Sequence, residues 1–173
     1  MKKDPVWLIG FMGSGKSTHG ARLARSLGYS FTDMDEYITR MAGMSIPEIF
    51  GSQGEAAFRD LERRAVEELS RQEAMVIATG GGAPCHDELI SLMNASGLTV
   101  YLRLSPEALA DRLKNSKTRR PLIEGKSGEE LLTWIRETLG KRGPFYEEAC
   151  LVVDAMDLQS SALFRKVREL LVY

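Results

Sequence analysis

Cysteine and histidine are scarce in this chain: Cys85 and Cys150 are its only cysteines, His19 and His86 its only histidines. So few ligands give no zinc-type spacing. The two thiols, both near apolar segments, read as reduced rather than as a disulfide framework. A charge excess is also missing. The formal net charge is −1 over 173 residues, so no global field draws nucleic acid or an anionic membrane. There is no long apolar run either: in "MKKDPVWLIGFMG" the hydrophobic stretch is broken at Gly10. It is too short for a membrane span and lacks a small-residue cleavage site, so a cytoplasmic protein is expected. No repeat and no linker interrupts the chain. With 43% hydrophobic and 27% charged residues it reads as one soluble domain over 1–173.

What is present is an alternation of short β-like runs with helix-period segments. Val6 to Ile9 is a first strand, and Gly20, Leu23, Ala24 and Leu27 then keep i, i+3, i+4, i+7 spacing until Gly28 stops the helix. "YSFTD" reads as a second strand and "SIPE" (45–48) as a capping box, followed by an apolar stripe of Phe58, Leu61, Ala65 and Leu69. "AMVIAT" is a third strand running into Gly80, Gly81 and Gly82, and "LTVYLRL" a fourth, with Ser105 capping and Pro106 opening the next helix. Residues 115–128, "NSKTRRPLIEGKSG", have no period and read as a mobile basic loop carrying Arg119 and Arg120. Leu132, Ile135 and Leu139 mark another helix, with Arg142 just past its end before Gly143 and Pro144. "CLVVD" is a last strand, and Leu163, Val167 and Leu170 belong to a closing helix. Five strands alternating with helices predict an α/β fold on a parallel sheet.

The most informative stretch is "GFMGSGKS", Gly10 to Ser17, a complete G-x-x-x-x-G-K-[ST] motif between a predicted strand and a predicted helix. Glycines let the backbone turn several N–H groups towards phosphate oxygens, and the helix start adds its positive end. Lys16 can reach β- and γ-phosphates, while the Ser17 hydroxyl can ligate Mg²⁺. Asp33 and Asp35 follow at the end of the second strand, two apart in what reads as extended chain. One carboxylate near Ser17 would complete a metal site; the other could accept a proton from an attacking alcohol. "DMDEY" reads equally as a solvated acidic helix start. Arg59 and Arg142, each taken alone, are surface charges or dipole partners. Three consecutive glycines after a strand fit a place where the chain approaches a ligand closely. Arg119 and Arg120 fit either a loop closing over phosphates or a solvated charge run.

In order, "GFMGSGKST", "FTDMDEYI", "SIPEIF", "GEAAFRDLE", "ATGGG", "RRPLIEG" and "KRGPFYEEA" resemble the motifs of the shikimate kinase family across roughly residues 5–154. The resemblance implies a three-layer P-loop fold, a five-stranded parallel sheet of order 2-3-1-4-5 flanked by helices. It implies a P-loop at 10–18, a substrate region at about 33–62 and a mobile lid at about 115–128. The activity implied is ATP-dependent, Mg²⁺-assisted phosphorylation of the 3-hydroxyl of shikimate, on the route to chorismate and aromatic amino acids. Carried over residue by residue, ATP falls to Gly13, Ser14, Gly15, Lys16, Ser17, Thr18, Arg112, Arg120 and Gln159, with the metal at Ser17 and Asp33. Shikimate falls to Asp35, Arg59, Arg142 and the glycines Gly80, Gly81 and Gly82, with Phe50, Phe58 and Glu62 lining or bracing the pocket. Lys16, Asp35 and Arg120 would carry the chemistry. No nucleic-acid or membrane partner is expected, and the small domain leans towards a monomer. The competing readings are another kinase of a polyhydroxylated carboxylate, such as a gluconate kinase, and a non-catalytic nucleotide-binding module.

Overall fold

In the computed structural model, residues 3–117 and 120–171 are described. Strand β1 (Val6–Ile9) has all four side chains fully buried. Successive strand residues point to opposite faces, so burial of every one means that both faces of the sheet are covered. The strands β1, β2 (Ser30–Asp33), β3 (Met75–Ala78), β4 (Leu98–Arg103) and β5 (Leu151–Asp154) form one sheet in the order β2-β3-β1-β4-β5. Every pairing is parallel, with Val6 opposite both Val76 and Leu98, Asp33 opposite Ala78, and Arg103 opposite Asp154. The implied strand order is therefore the one adopted.

Helices fill the crossovers. They are α1 (Lys16–Leu27), α2 (Met34–Ala42), α3 (Ile46–Leu69), α4 (Leu89–Ser96), α5 (Pro106–Lys114), α6 (Gly128–Tyr146) and α7 (Ser160–Leu171). α1 packs on β3, β2 and α7; α3 packs on α2 and α4; α5 packs on α6. The expected capping box forms as read, Ser45 N–H donating to Glu48 Oε2 at 2.7 Å and Glu48 N–H to Ser45 Oγ at 3.4 Å. α3 is interrupted at Gly54, whose φ of 85° and ψ of 176° are not helical. Among the described residues no helix is long and apolar enough to cross a membrane.

Four local expectations change. Strand β2 stops at Asp33, and Asp35 lies in the first turn of α2 rather than in extended chain. The acidic helix start was thus the correct local reading, because Asp33 caps that helix. α6 does not end before Arg142; it runs through Gly143 and Pro144 to Tyr146. Pro144 leaves only the carbonyl of Gly140 without its helical donor, and Gly140 is exposed, so solvent can satisfy it. α4 was not assigned from the sequence at all, whereas Leu163, Val167 and Leu170 do lie in the closing helix α7, Leu170 on its exposed side. Within 115–128, Pro121–Ile123 forms a short 3-10 turn, while Thr118 and Arg119 lie outside the described residues.

Candidate active site

The loop between β1 and α1 curls back because Gly10, Gly13 and Gly15 take φ of 144°, 80° and 94°, which residues with side chains rarely adopt. Asp33, Ser45 and Ser105 cap α2, α3 and α5 with their side chains, but Gly15 gives α1 no such cap. The first amides of α1 thus keep their donors for an anion at the positive helix end. Ser14 sits buried in this cradle with an Oγ that has no partner, and Thr18 is exposed in the first turn of α1. Lys16 folds over the loop, its Nζ donating to the carbonyls of Gly10 (2.8 Å) and Phe11 (2.9 Å).

Asp33 uses its two oxygens for different tasks. Oδ1 accepts from the N–H groups of Asp35 (3.0 Å) and Glu36 (3.4 Å), while Oδ2 accepts from Ser17 Oγ at 2.6 Å. The cap fixes the carboxylate and also ties the end of β2 to the start of α1. A hydroxyl and a carboxylate in direct contact at the phosphate cradle match how Mg²⁺ is usually held, by few protein oxygens together with phosphates and water.

The triple glycine is the floor of a charged pocket. A Cβ on Gly80 would stand 3.1 Å from both Asp35 Oδ1 and Glu62 Oε1; on Gly81, 3.3 Å from Arg142 Nη1; on Gly82, 2.8 Å from Arg59 Nη1. Each glycine makes room for a different ionic side chain, so the close approach inferred from the sequence is first an approach to the protein's own charges. Arg59 Nη1 is held by Glu62 Oε2 at 2.5 Å, and its guanidinium lies 5.5 Å from the ring centre of Phe58. Phe58 in turn stacks on Phe50 with centroids 4.7 Å apart. Phe50 is 40% exposed against 6% for Phe58, so Phe58 is the covered ring of the pair and Phe50 the open one. Arg142 stands over the ring of Phe11 at 5.7 Å.

These groups sense one another. Burial, with Arg120 and Arg142 nearby, brings the Lys16 ammonium down to about 8 although Asp35 and Asp33 oppose the change. Burial, with the charge of Asp33, pushes the Asp35 carboxyl above its ordinary range against the pull of Lys16 and Arg120. Glu62 is also raised by burial, and Arg59 partly reverses it. Arg120 is lowered by burial and raised by Asp35. Arg59 and Arg120 each keep a buried Nε without a partner. Buried donors left free inside a cleft point to a ligand that supplies acceptors.

On the far side of the cradle, Arg112 donates to the carbonyls of Gly13 (3.5 Å), Ser14 (3.4 Å) and Ala155 (3.1 Å), joining the glycine loop to the segment after β5. Gln159 is exposed on that segment, its carbonyl accepting from Ala162 and Leu163 at the start of α7. Sequence reading missed Phe11, Trp134 and Tyr146 as parts of the site. Tyr146 lies four residues after Arg142 and donates to the carbonyl of Gly81 at 2.5 Å. Helical i, i+4 spacing would have revealed it, but Gly143-Pro144 argued for a turn.

A phosphate cradle at the carboxyl edge of a parallel sheet, with a separate arginine-lined pocket sharing its lysine's field, defines a P-loop kinase of small molecules. The comparisons sharpen this. The family model "Shikimate kinase" matches residues 12–172. A shikimate kinase of Parabacteroides distasonis is 48% identical over 87% of this chain and 87% of its own. The crystal structure of a shikimate kinase from Bacteroides thetaiotaomicron has a TM-score of 0.90 at 39% identity, covering 97% of this chain and 98% of that one. One from Acinetobacter baumannii, solved in complex with shikimate, has a TM-score of 0.84 at 34% identity over 97% and 92%. The chain belongs to the shikimate kinase family, and it is an ATP-dependent kinase.

Proposed function

We propose that this chain transfers the γ-phosphoryl group of ATP to the 3-hydroxyl of shikimate, giving shikimate 3-phosphate and ADP on the route to chorismate. The observation that carries the reading is the glycine floor, which sets Asp35, Arg142 and Arg59 side by side on Gly80, Gly81 and Gly82, next to Lys16. Two guanidiniums suit a carboxylate, which they grip with charge-assisted and partly bidentate bonds. Phe50 and Phe58 bound the ring of the substrate, Glu62 holds Arg59, and the N–H of Gly81 faces the acceptor.

Asp35 orients the 3-hydroxyl and takes its proton as the oxygen attacks the γ-phosphorus and the bond to the β-phosphate oxygen breaks. Its raised affinity for protons makes it a better base than an ordinary carboxylate. Lys16 and Arg120 spread the charge of the phosphoryl group in flight, so no covalent nucleophile is needed. Gly13, Ser14, Gly15 and Thr18 hold phosphate oxygens, and Arg112 and Gln159 border the adenine. Ser17 and Asp33 would hold Mg²⁺, which when bound neutralises β- and γ-phosphate charge. The segment at about 115–128 closes over the nucleotide as a lid, excluding water. The described residues work as one domain, and the protein acts as a cytoplasmic monomer.

A coupled assay of ADP release, with shikimate, gluconate or no acceptor, tests this. ADP release should depend on shikimate and on Mg²⁺. Equal rates without an acceptor, or with gluconate in its place, would overturn the assignment.

A further inference from the structure

We propose that Tyr146 is a positioning residue for the acceptor pocket: its hydroxyl locks the Gly81 carbonyl and so holds Arg142 in register with the triple glycine. This rests on reading Arg142 as a clamp for the substrate carboxylate.

The two arginines of the pocket are supported unequally. Arg59 has a buried carboxylate, Glu62, at 2.5 Å. Arg142 has no carboxylate partner among the described residues, so something else must hold a long, flexible cation in place. Its surroundings supply three neutral supports. The ring of Phe11 lies beneath it at 5.7 Å, braced edge-on by Trp134 with centroids 5.8 Å apart. The backbone of Gly81 lies beside it, close enough that a Cβ there would come within 3.3 Å of Nη1. The Tyr146 hydroxyl is the third neighbour, one helical turn further along α6 and on the same face.

Tyr146 is itself enclosed on every side. It is fully buried, its ring rests on Tyr101 with centroids 5.1 Å apart, and its hydroxyl donates to Gly81 O at 2.5 Å. Burial holds that hydroxyl far above the ordinary phenol range, so it remains a donor at every working pH. Fixing the Gly81 carbonyl orients the peptide to Gly82, on which Arg59 packs. One neutral hydroxyl thereby sets the glycine floor for both arginines while leaving the full charge of Arg142 for the ligand. An ion pair would have compromised that charge.

The test is Tyr146→Phe, which keeps the ring. With shikimate, kcat/KM should fall about tenfold through KM, as expected for one lost bond and one orphaned carbonyl, with KM for ATP within twofold of wild type. With shikimate methyl ester, which lacks the carboxylate charge, the loss should shrink to within twofold. The order parameter of the Arg142 Nε–H group, read by NMR without any substrate, should be high in wild type and drop in the variant. An unchanged order parameter, or an equal loss on acid and ester, overturns the proposal. Failure of wild-type turnover with shikimate would instead overturn the proposed function, while the substrate-free measurement still judges Tyr146.

Discussion

Replacing Asp35 by Asn separates what the carboxylate does for chemistry from what it costs the fold. The two side chains have nearly the same shape, so the fit of the side chain beside Gly80, where an added Cβ would stand 3.1 Å from Oδ1, is kept. Loss of a positioned base is worth about 10²–10⁴ in rate, or roughly 3–5.5 kcal/mol of barrier at 1.36 kcal/mol per tenfold. Stability should not fall with it. The folded state raises the affinity of Asp35 for its proton, through burial and then Asp33. A carboxyl raised in the fold stabilises fully below its unfolded value, and that contribution is lost as pH rises through the folded value. At neutral pH the ionised Asp35 is therefore a burden, a small one because the residue as a whole is exposed and solvent screens it, and the amide should melt no lower. Asp35 also helps Lys16 stay charged, so without it the lysine titrates below its present value of about 8 and ATP affinity weakens earlier on the alkaline side. The assay is ADP release at saturating substrates from pH 6 to 9, with thermal melts and ATP titrations of the same samples. A kcat within threefold of wild type would refute the base role. A lower melting temperature at pH 7 would refute the electrostatic reasoning even if the rate collapsed.

Three further outcomes are expected. In the wild type, kcat/KM for ATP should fall above about pH 8 as Lys16 loses its proton in the free enzyme, and a profile flat to pH 9.5 would contradict this. Arg59→Ala should raise KM for shikimate by roughly 30-fold or more, from a loss of about 2–5 kcal/mol for a broken buried pair, with KM for ATP little changed. The same variant leaves Glu62 buried without its cation, so its melting temperature should fall further as pH rises, and Glu62→Gln added to it should restore part of the loss. Gly97→Ala would place a Cβ 2.1 Å from the backbone oxygen of Pro5, where β1 and β4 begin. Such overpacking costs roughly 1–3 kcal/mol, a drop of about 2–12 °C that a melt would register.

The phosphate cradle was legible from residues alone because its information is local. Glycines that accept positive φ, a lysine and a hydroxyl at fixed offsets, and an apolar helix stripe behind them all act within one turn of chain. The capping box of α3 and the strand cores were readable for the same reason. Asp33 and Asp35 were harder, since strand end and helix cap predict opposite side-chain directions; the contact of Ser17 with Asp33 across the sheet edge settled it.

What the order of residues determined by itself was where the triphosphate goes, and, through its string of motifs, which family shares the design. Only the folded chain decided that Gly80, Gly81 and Gly82 are a floor for Asp35, Arg142 and Arg59, and that α6 continues past a proline to bring the Tyr146 hydroxyl onto the Gly81 carbonyl. Those contacts join residues tens of positions apart. They exist because parallel strands require long crossovers, and each crossover returns distant side chains to the same carboxyl edge of the sheet.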